Sequence, residues 1–249
     1  MLKINNKMRR LILLLCLLFP LAVMAQGSAH WVWIGDSITD GGWGRSGGSM
    51  APSEERNLKD QNHLYGHSYM FLCAAELQSR YPEQAYRCSN RGISGYTLTE
   101  LEERWERDVE ALQPDLLSIL VGTNDVDRAL RKGGFDVESW ERRYRNYLTR
   151  TRETFPEVRL VLCTPFVMRA GRLARTENYA ERTDAVAACA EAVRRLAKEF
   201  GAELVDFHAL FARLEGQKRV APEYWVWDGI HPTPAGHHRM ARLWLKRVM

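Results

Sequence analysis

Five short apolar runs, at 31–35, 86–89, 116–121, 159–164 and 203–207, alternate along this 249-residue chain with longer stretches of helical spacing. Several of the runs are apolar without polar alternation, the pattern of strands covered on both faces. Between them, Leu98, Leu101, Trp105, Val109 and Leu112 recur at helical spacing behind a Thr97-x-x-Glu100 capping box. Trp140, Tyr144, Tyr147, Leu148, Thr151 and Phe155 mark another helix, stopped by Pro156, and 185–200 a third, closed by Gly201. Thr233-Pro234 opens the last helix as an N-cap followed by proline, and Met240, Leu243, Trp244 and Val248 form its apolar stripe. Alternation of this kind predicts an α/β fold, a mainly parallel sheet with helices on both faces. Right-handed crossovers then set the loops after the strands along one edge, where open α/β sheets bind their ligands.

The first 25 residues read separately. A basic stretch to Arg10, an apolar run from Leu11 to Met24 and the small residue Ala25 predict a secretory signal peptide at 1–25. The run is shorter than the ~17 residues a bilayer span needs, and Pro20 interrupts it. Cys16 follows Leu15, where bacterial lipidation requires a small residue. The segment carries Lys3, Lys7, Arg9 and Arg10 and no acid, so its removal leaves 31 basic against 31 acidic residues. Without a basic surface, neither nucleic acid nor an anionic membrane is an expected partner. Residues 26–249 show no repeat or linker and are expected to form one exported domain, periplasmic or secreted. Cys73, Cys88, Cys163 and Cys189 lie in apolar segments, where free cysteine behaves as a small buried hydrophobe, although export would permit a disulfide. No Cys/His spacing suits zinc, and no cofactor is expected.

Four segments on the loop edge carry chemistry: Gly35-Asp36-Ser37-Ile38-Thr39, Asn90-Arg91-Gly92-Ile93-Ser94-Gly95, Gly122-Thr123-Asn124-Asp125, and Asp228-Gly229-Ile230-His231-Pro232-Thr233. A serine hydroxyl becomes a useful nucleophile when a histidine takes its proton and a carboxylate fixes that histidine's tautomer. Ser37, His231 and Asp228 supply that set. An oxyanion hole needs preorganised donors, and Asn124 with the amides of Gly92 and Ser37 are the candidates. Asp36 and Thr39 are expected to brace the loop holding Ser37, and Asp125 to complete an ordinary turn.

At these residues the sequence resembles the SGNH hydrolase superfamily, the GDSL-type esterases and lipases. Ser37, Gly92, Asn124 and His231 fall in order within blocks reading GDSIT, NRGISG, GTND and DGIHPT. The resemblance covers the chain from Trp31 onward. It implies a three-layer α/β/α sandwich, flavodoxin-like, with five parallel strands in the order 2-1-3-4-5, and metal-independent ester hydrolysis. Residues 40–65 depart from the pattern as a long, glycine-rich and polar insertion, of a kind that is usually functional or disordered. In this family such an insertion would overhang the active site.

Two motif matches in the insertion lack the context that gives them meaning. Gly44-Arg45-Ser46-Gly47-Gly48 fits a nucleophile elbow but has no strand before it, and Gly42-x-Gly44-x-x-Gly47 fits a dinucleotide fingerprint seven residues past the strand end. Trp225 and Trp227 alternate with Val226 and read as core; Trp43 and Tyr96 remain as substrate contacts, and Arg91 as a contact for an acidic substrate. His237 and His238 read as surface or packing residues. Export, a polar aromatic-flanked edge and the absence of a large apolar lid favour short acyl groups, especially acetyl on polysaccharide. The alternatives are a lipase or lysophospholipase, a carbohydrate-binding module that lost turnover, and a metal-dependent phosphoesterase assembled from Asp36, Asp125, Asp228 and His231.

Overall fold

In β1 (His30–Gly35) the side chains sort by parity, Trp31 and Trp33 to one face of the sheet and Val32 and Ile34 to the other, and all four are buried. A strand so covered must lie inside a sheet, and it does. The computed structural model, which describes residues 28–42, 51–56 and 64–249, holds a five-stranded sheet in the order β2-β1-β3-β4-β5. The other strands are β2 (Arg87–Asn90), β3 (Leu116–Leu120), β4 (Arg159–Cys163) and β5 (Glu203–Val205), and every pairing is parallel. The predicted runs and the predicted order are both observed. The segment 1–25, Trp43 and the glycine motifs centred on 44–48 lie outside the described residues.

In chain order the helices are α1 (Ser37–Asp40), α2 (Ser53–Arg56), α3 (Tyr69–Arg80), α4 (Leu98–Glu103), α5 (Trp105–Asp108), α6 (Thr123–Leu130), α7 (Val137–Thr154), α8 (Tyr179–Glu199), α9 (Phe207–Glu215) and α10 (Pro234–Val248). One core joins the Trp31 and Trp33 face to α3, α9 and α10; the other joins the Val32 and Ile34 face to α4 through α8. The first is pinned by Trp244, whose ring lies 5.1 Å from that of Trp33 and whose indole N–H donates to Ser118 Oγ at 3.0 Å. Truncating so large a buried aromatic costs about 3–5 kcal/mol. Cys73, Cys88, Cys163 and Cys189 are free and buried.

Two local expectations need correction. The single helix read through Leu98 to Leu112 breaks at Arg104 and Val109 into α4, α5 and a short 3-10 turn. Leu98, Leu101, Trp105 and Val109 still share one buried face, so the apolar stripe survives where the backbone hydrogen-bond ladder does not. The insertion is not devoid of structure either. Its α2 is held at the sheet edge because Glu54 Oε1 accepts the Asn90 amide at 2.8 Å.

Candidate active site

Ser37 leaves β1 through a turn that Asp36 organises. The Asp36 carboxylate caps α1 by accepting the Ile38 amide at 2.9 Å, leaving Ser37 as the first helical residue. Its N–H belongs to the first turn of a helix, where amides lack an intrahelical acceptor, and none pairs with it among the described residues. The hydroxyl meets the far end of the chain, with Ser37 Oγ 2.8 Å from His231 Nε2.

His231 is presented by a narrow loop. Trp227 N–H donates to His231 O at 2.8 Å and Thr233 N–H to Trp225 O at 2.9 Å, a closure that brings Val226 opposite Pro232. Thr233 then caps α10 by accepting the Gly236 amide at 3.2 Å. Within the loop Asp228 is held on both sides. Its Oδ1 accepts the amides of Ile230 at 3.0 Å and His231 at 2.9 Å, and its Oδ2 lies 3.0 Å from His231 Nδ1. Partial burial alone would raise the Asp228 pKa, but the bonds from the His231 ring and these two amides hold it well below the usual carboxylate range. An ionised Asp228 accepts Nδ1–H and leaves Nε2 free to accept the serine proton, the tautomer a general base requires.

Behind the serine, Asp36 is buried, and desolvation pushes its pKa up to about 6 against the amide of Ile38 and the charge of His231, which pull it down. Asn124, near the start of α6, points its Nδ2 at Tyr96 O, 3.1 Å away, and at Asp36 Oδ2 at 3.4 Å. Asp125 turns away from the serine. Its Oδ1 caps Leu98 N at 3.0 Å, tying α4 to α6, and burial pushes its pKa up to about 6. Asp125 thus takes the turn role expected of it.

The structure reassigns three expected contacts. Gly92 is buried, and its amide donates to Asn90 Oδ1 at 3.0 Å. A Cβ there would stand 2.5 Å from Asp40 N and 3.0 Å from Asp36 O, so this glycine lets the nucleophile turn pack against the second block. Gly95 is the better donor in that block. It adopts φ +82° in a turn closed by Tyr96 N–H donating to Ile93 O at 3.2 Å, is exposed, faces open space, and has no partner for its amide among the described residues. The Ser94-Gly95 turn dipeptide was the sequence signal for it. Arg91 is also displaced from the substrate side. It is 6% exposed and donates to Asp108 Oδ1 at 2.9 and 2.5 Å, to Glu55 at 2.9 Å and to Glu54 at 3.5 Å, a buried ionic cluster tying α2 to α5. Tyr96 offers the site its carbonyl, while its ring packs 5.3 Å from the Arg104 guanidinium.

The two tryptophans separate. Trp225 is buried, as expected, but Trp227 is 56% exposed beside Asp228, because α10 covers only the Trp225 side of the loop. His237 is a buried packing residue whose Nδ1 accepts the Tyr69 amide at 3.1 Å. Arg172 was not anticipated at all. Its Nε and Nη2 stand 3.2 and 3.1 Å from Asp228 Oδ2. Among the described residues no group of three His, Cys, Asp or Glu could hold a metal ion, and no helix is long and apolar enough to cross a membrane.

Residues 33–239 match the model of the GDSL-like lipase/acylhydrolase family. An acetylxylan esterase from Geobacillus stearothermophilus is 33% identical over 226 residues, spanning 87% of this chain and 92% of that protein. The crystal structure of an acetylxylan esterase from the same organism, Axe2, superposes with a TM-score of 0.70 at 29% identity, covering 88% of this chain and 93% of that one. A GDSL-like lipase candidate from Parabacteroides merdae gives 0.75 at 32%, covering 88% and 95%. LAE5, an α/β hydrolase from the metagenome of Lake Arreo, gives 0.72 at 28%, covering 88% and 94%.

Proposed function

The chain belongs to the GDSL-like lipase/acylhydrolase family and is a carboxylic ester hydrolase, and from that premise we propose that it removes acetyl groups from carbohydrate by a serine mechanism at Ser37. The observation that carries the mechanism is the unbroken line Ser37 Oγ, His231 Nε2, His231 Nδ1, Asp228 Oδ2, with contacts of 2.8 and 3.0 Å. Ser37 Oγ attacks the ester carbonyl as His231 takes its proton. The oxyanion that forms is met by the Ser37 and Gly95 amides and by Asn124 Nδ2, which turns from its long contact to Asp36. Collapse expels the sugar alcohol, protonated by His231, and leaves an acetyl-serine. His231 then draws a proton from water, whose attack on the acyl carbonyl releases acetate and restores the hydroxyl.

The carbohydrate assignment rests on the acetylxylan esterase likeness, which extends over most of both chains. Export through a signal at 1–25 fits a polymeric substrate outside the cytoplasm. It predicts a mature protein beginning at Gln26, which N-terminal sequencing of the secreted fraction reads directly.

The test is hydrolysis of p-nitrophenyl acetate by residues 26–249 and by a folded Ser37→Ala variant. A drop of about 1000-fold or more is expected on losing a triad member; equal rates would remove Ser37 as nucleophile. Acetate release from acetylated xylo-oligosaccharides should exceed hydrolysis of decanoyl esters, and a rate that climbs with acyl length would replace the carbohydrate reading with a lipase.

A further inference from the structure

Arg172 sits on an exposed turn, its side chain 72% accessible, yet it is not an arbitrary surface cation. The chain that follows β4 is locked onto the catalytic loop at several points. Met168 N–H donates to Gly229 O at 2.9 Å and Leu173 N–H to Asp228 O at 3.1 Å. Gly171 N–H donates to Glu223 Oε1 at 3.1 Å. Gly171 itself presses so closely on this loop that a Cβ would lie 2.5 Å from Trp227 O and 2.8 Å from the Asp228 Cα. The backbone on either side of Arg172 is therefore fixed relative to Asp228. The guanidinium is delivered to the carboxylate by the fold.

The two carboxylate oxygens are divided. Oδ1 is anchored by the amides of Ile230 and His231, whereas Oδ2 serves both the His231 ring and Arg172. We propose that Arg172 is a positioning residue that acts through Asp228 on His231, fixing the outer carboxylate oxygen and weakening the pull of Asp228 on an imidazolium. Ester hydrolysis at this triad is the reading on which the proposal rests. A cation shared with Asp228 draws negative charge away from the ring and opposes protonation of His231 directly, so the base stays unprotonated to lower pH. The His231 bonds still dominate the Asp228 carboxylate, because the Arg172 side chain is largely in water. The other charged groups facing His231 are Asp36, from the β1 turn, and His237, from α10.

The experiment compares wild type, Arg172→Gln and Arg172→Lys by NMR titration of the His231 ring and by pH profiles of kcat and KM. The NMR titration is needed because Asp36 titrates in the same acid range. For Arg172→Gln the midpoint of His231 should rise by roughly 0.2–0.7 pH unit, the scale of one exposed ion pair. The acid limb of kcat/KM should follow it, with kcat lowered at the plateau and KM unchanged. Arg172→Lys keeps the charge and should restore most of the midpoint but less of kcat, since an ammonium lacks the planar fork. Raising salt from about 0.05 to 0.5 M should move the wild-type profile toward that of Arg172→Gln, as screening weakens the exposed pair. Superimposable His231 titrations in wild type and Arg172→Gln would overturn the proposal. So would a rise in KM alone, which would make Arg172 a substrate contact. If wild type hydrolyses no ester while the titration still shifts, it is the esterase reading that fails and the coupling that stands.

Discussion

Arg91→Met tests the reassignment of this residue from the substrate side to the core. In the native protein its guanidinium is buried against Asp108, a residue with no exposed surface, and reaches Glu54 and Glu55 on α2. Removing one member of a buried ion pair costs about 3–5 kcal/mol, because the abandoned charge has lost its solvation twice over. Arg104 also stands 2.5 Å from Asp108 and keeps part of the compensation, which places the expected loss at the lower end, about 3 kcal/mol. For a domain of this size each kcal/mol moves Tm by about 2–4 °C, so the expected drop is roughly 6–12 °C. Thermal unfolding measures it, and a double-mutant cycle with Asp108→Asn should recover part of it by neutralising the stranded carboxylate. Because Arg91 anchors α2, limited proteolysis should cut within 40–65 faster in the variant, while KM for a neutral acetyl ester stays at the wild-type value. A Tm unchanged within about 2 °C, combined with a raised KM for an acidic ester, would refute the reasoning and return Arg91 to the binding surface.

Asn124→Ala should lower kcat for p-nitrophenyl acetate by about 100- to 1000-fold with little change in KM, as expected on losing one oxyanion donor; an effect confined to KM would reassign it to ground-state binding. Asp125, buried with a pKa near 6, holds a proton in the folded state that the unfolded chain releases near 3.8, so its contribution to stability falls as pH rises from about 4 to 6. Asp125→Asn should remove about 3 kcal/mol of that fall, seen as a difference between urea midpoints at pH 4 and 7; an unaltered pH slope would contradict it. His237 acts with the opposite sign, since burial pushes its pKa down to about 4 from 6.5, and the stability it contributes is gained as pH rises through that interval. His237→Gln offers Tyr69 N–H an acceptor without titrating, and should lose that gain in the same urea series.

Much of the fold and the triad was legible because their determinants are local. A strand covered on both faces announces itself within five residues, and Ser37, Asp228 and His231 sit in short blocks whose chemistry is readable in place. What escaped the sequence depends on partners distant along the chain. Nothing near Arg91 announces that Asp108, seventeen positions on, will bury it. Gly92 and Gly95 share one block, and only the Asn90 side chain, folding back onto the first amide, distinguishes them. Trp225 and Trp227 have the same spacing as two core residues, and the coverage provided by α10 separates them. Arg172 reaches Asp228 across 56 positions through a loop whose shape is set by backbone contacts, and it belongs to none of the four blocks.

The bond between Ser37 and His231 closes 194 positions of chain. During synthesis the nucleophile is made early and its base nearly last, and nothing earlier in the sequence stands in for that histidine. His231 is brought to the serine by the loop that opens α10, and α10 is itself moored when His237 accepts the Tyr69 amide and Trp244 reaches Ser118. Hydrolytic competence therefore arises in the same event that seats the final helix. A nascent or translocating chain carries an inert serine, and a protein nicked before residue 231 and stripped of its tail loses its chemistry even if the remaining sheet persists. For an enzyme that works on esters, this order of assembly keeps the reactive group silent until the whole domain has folded around it.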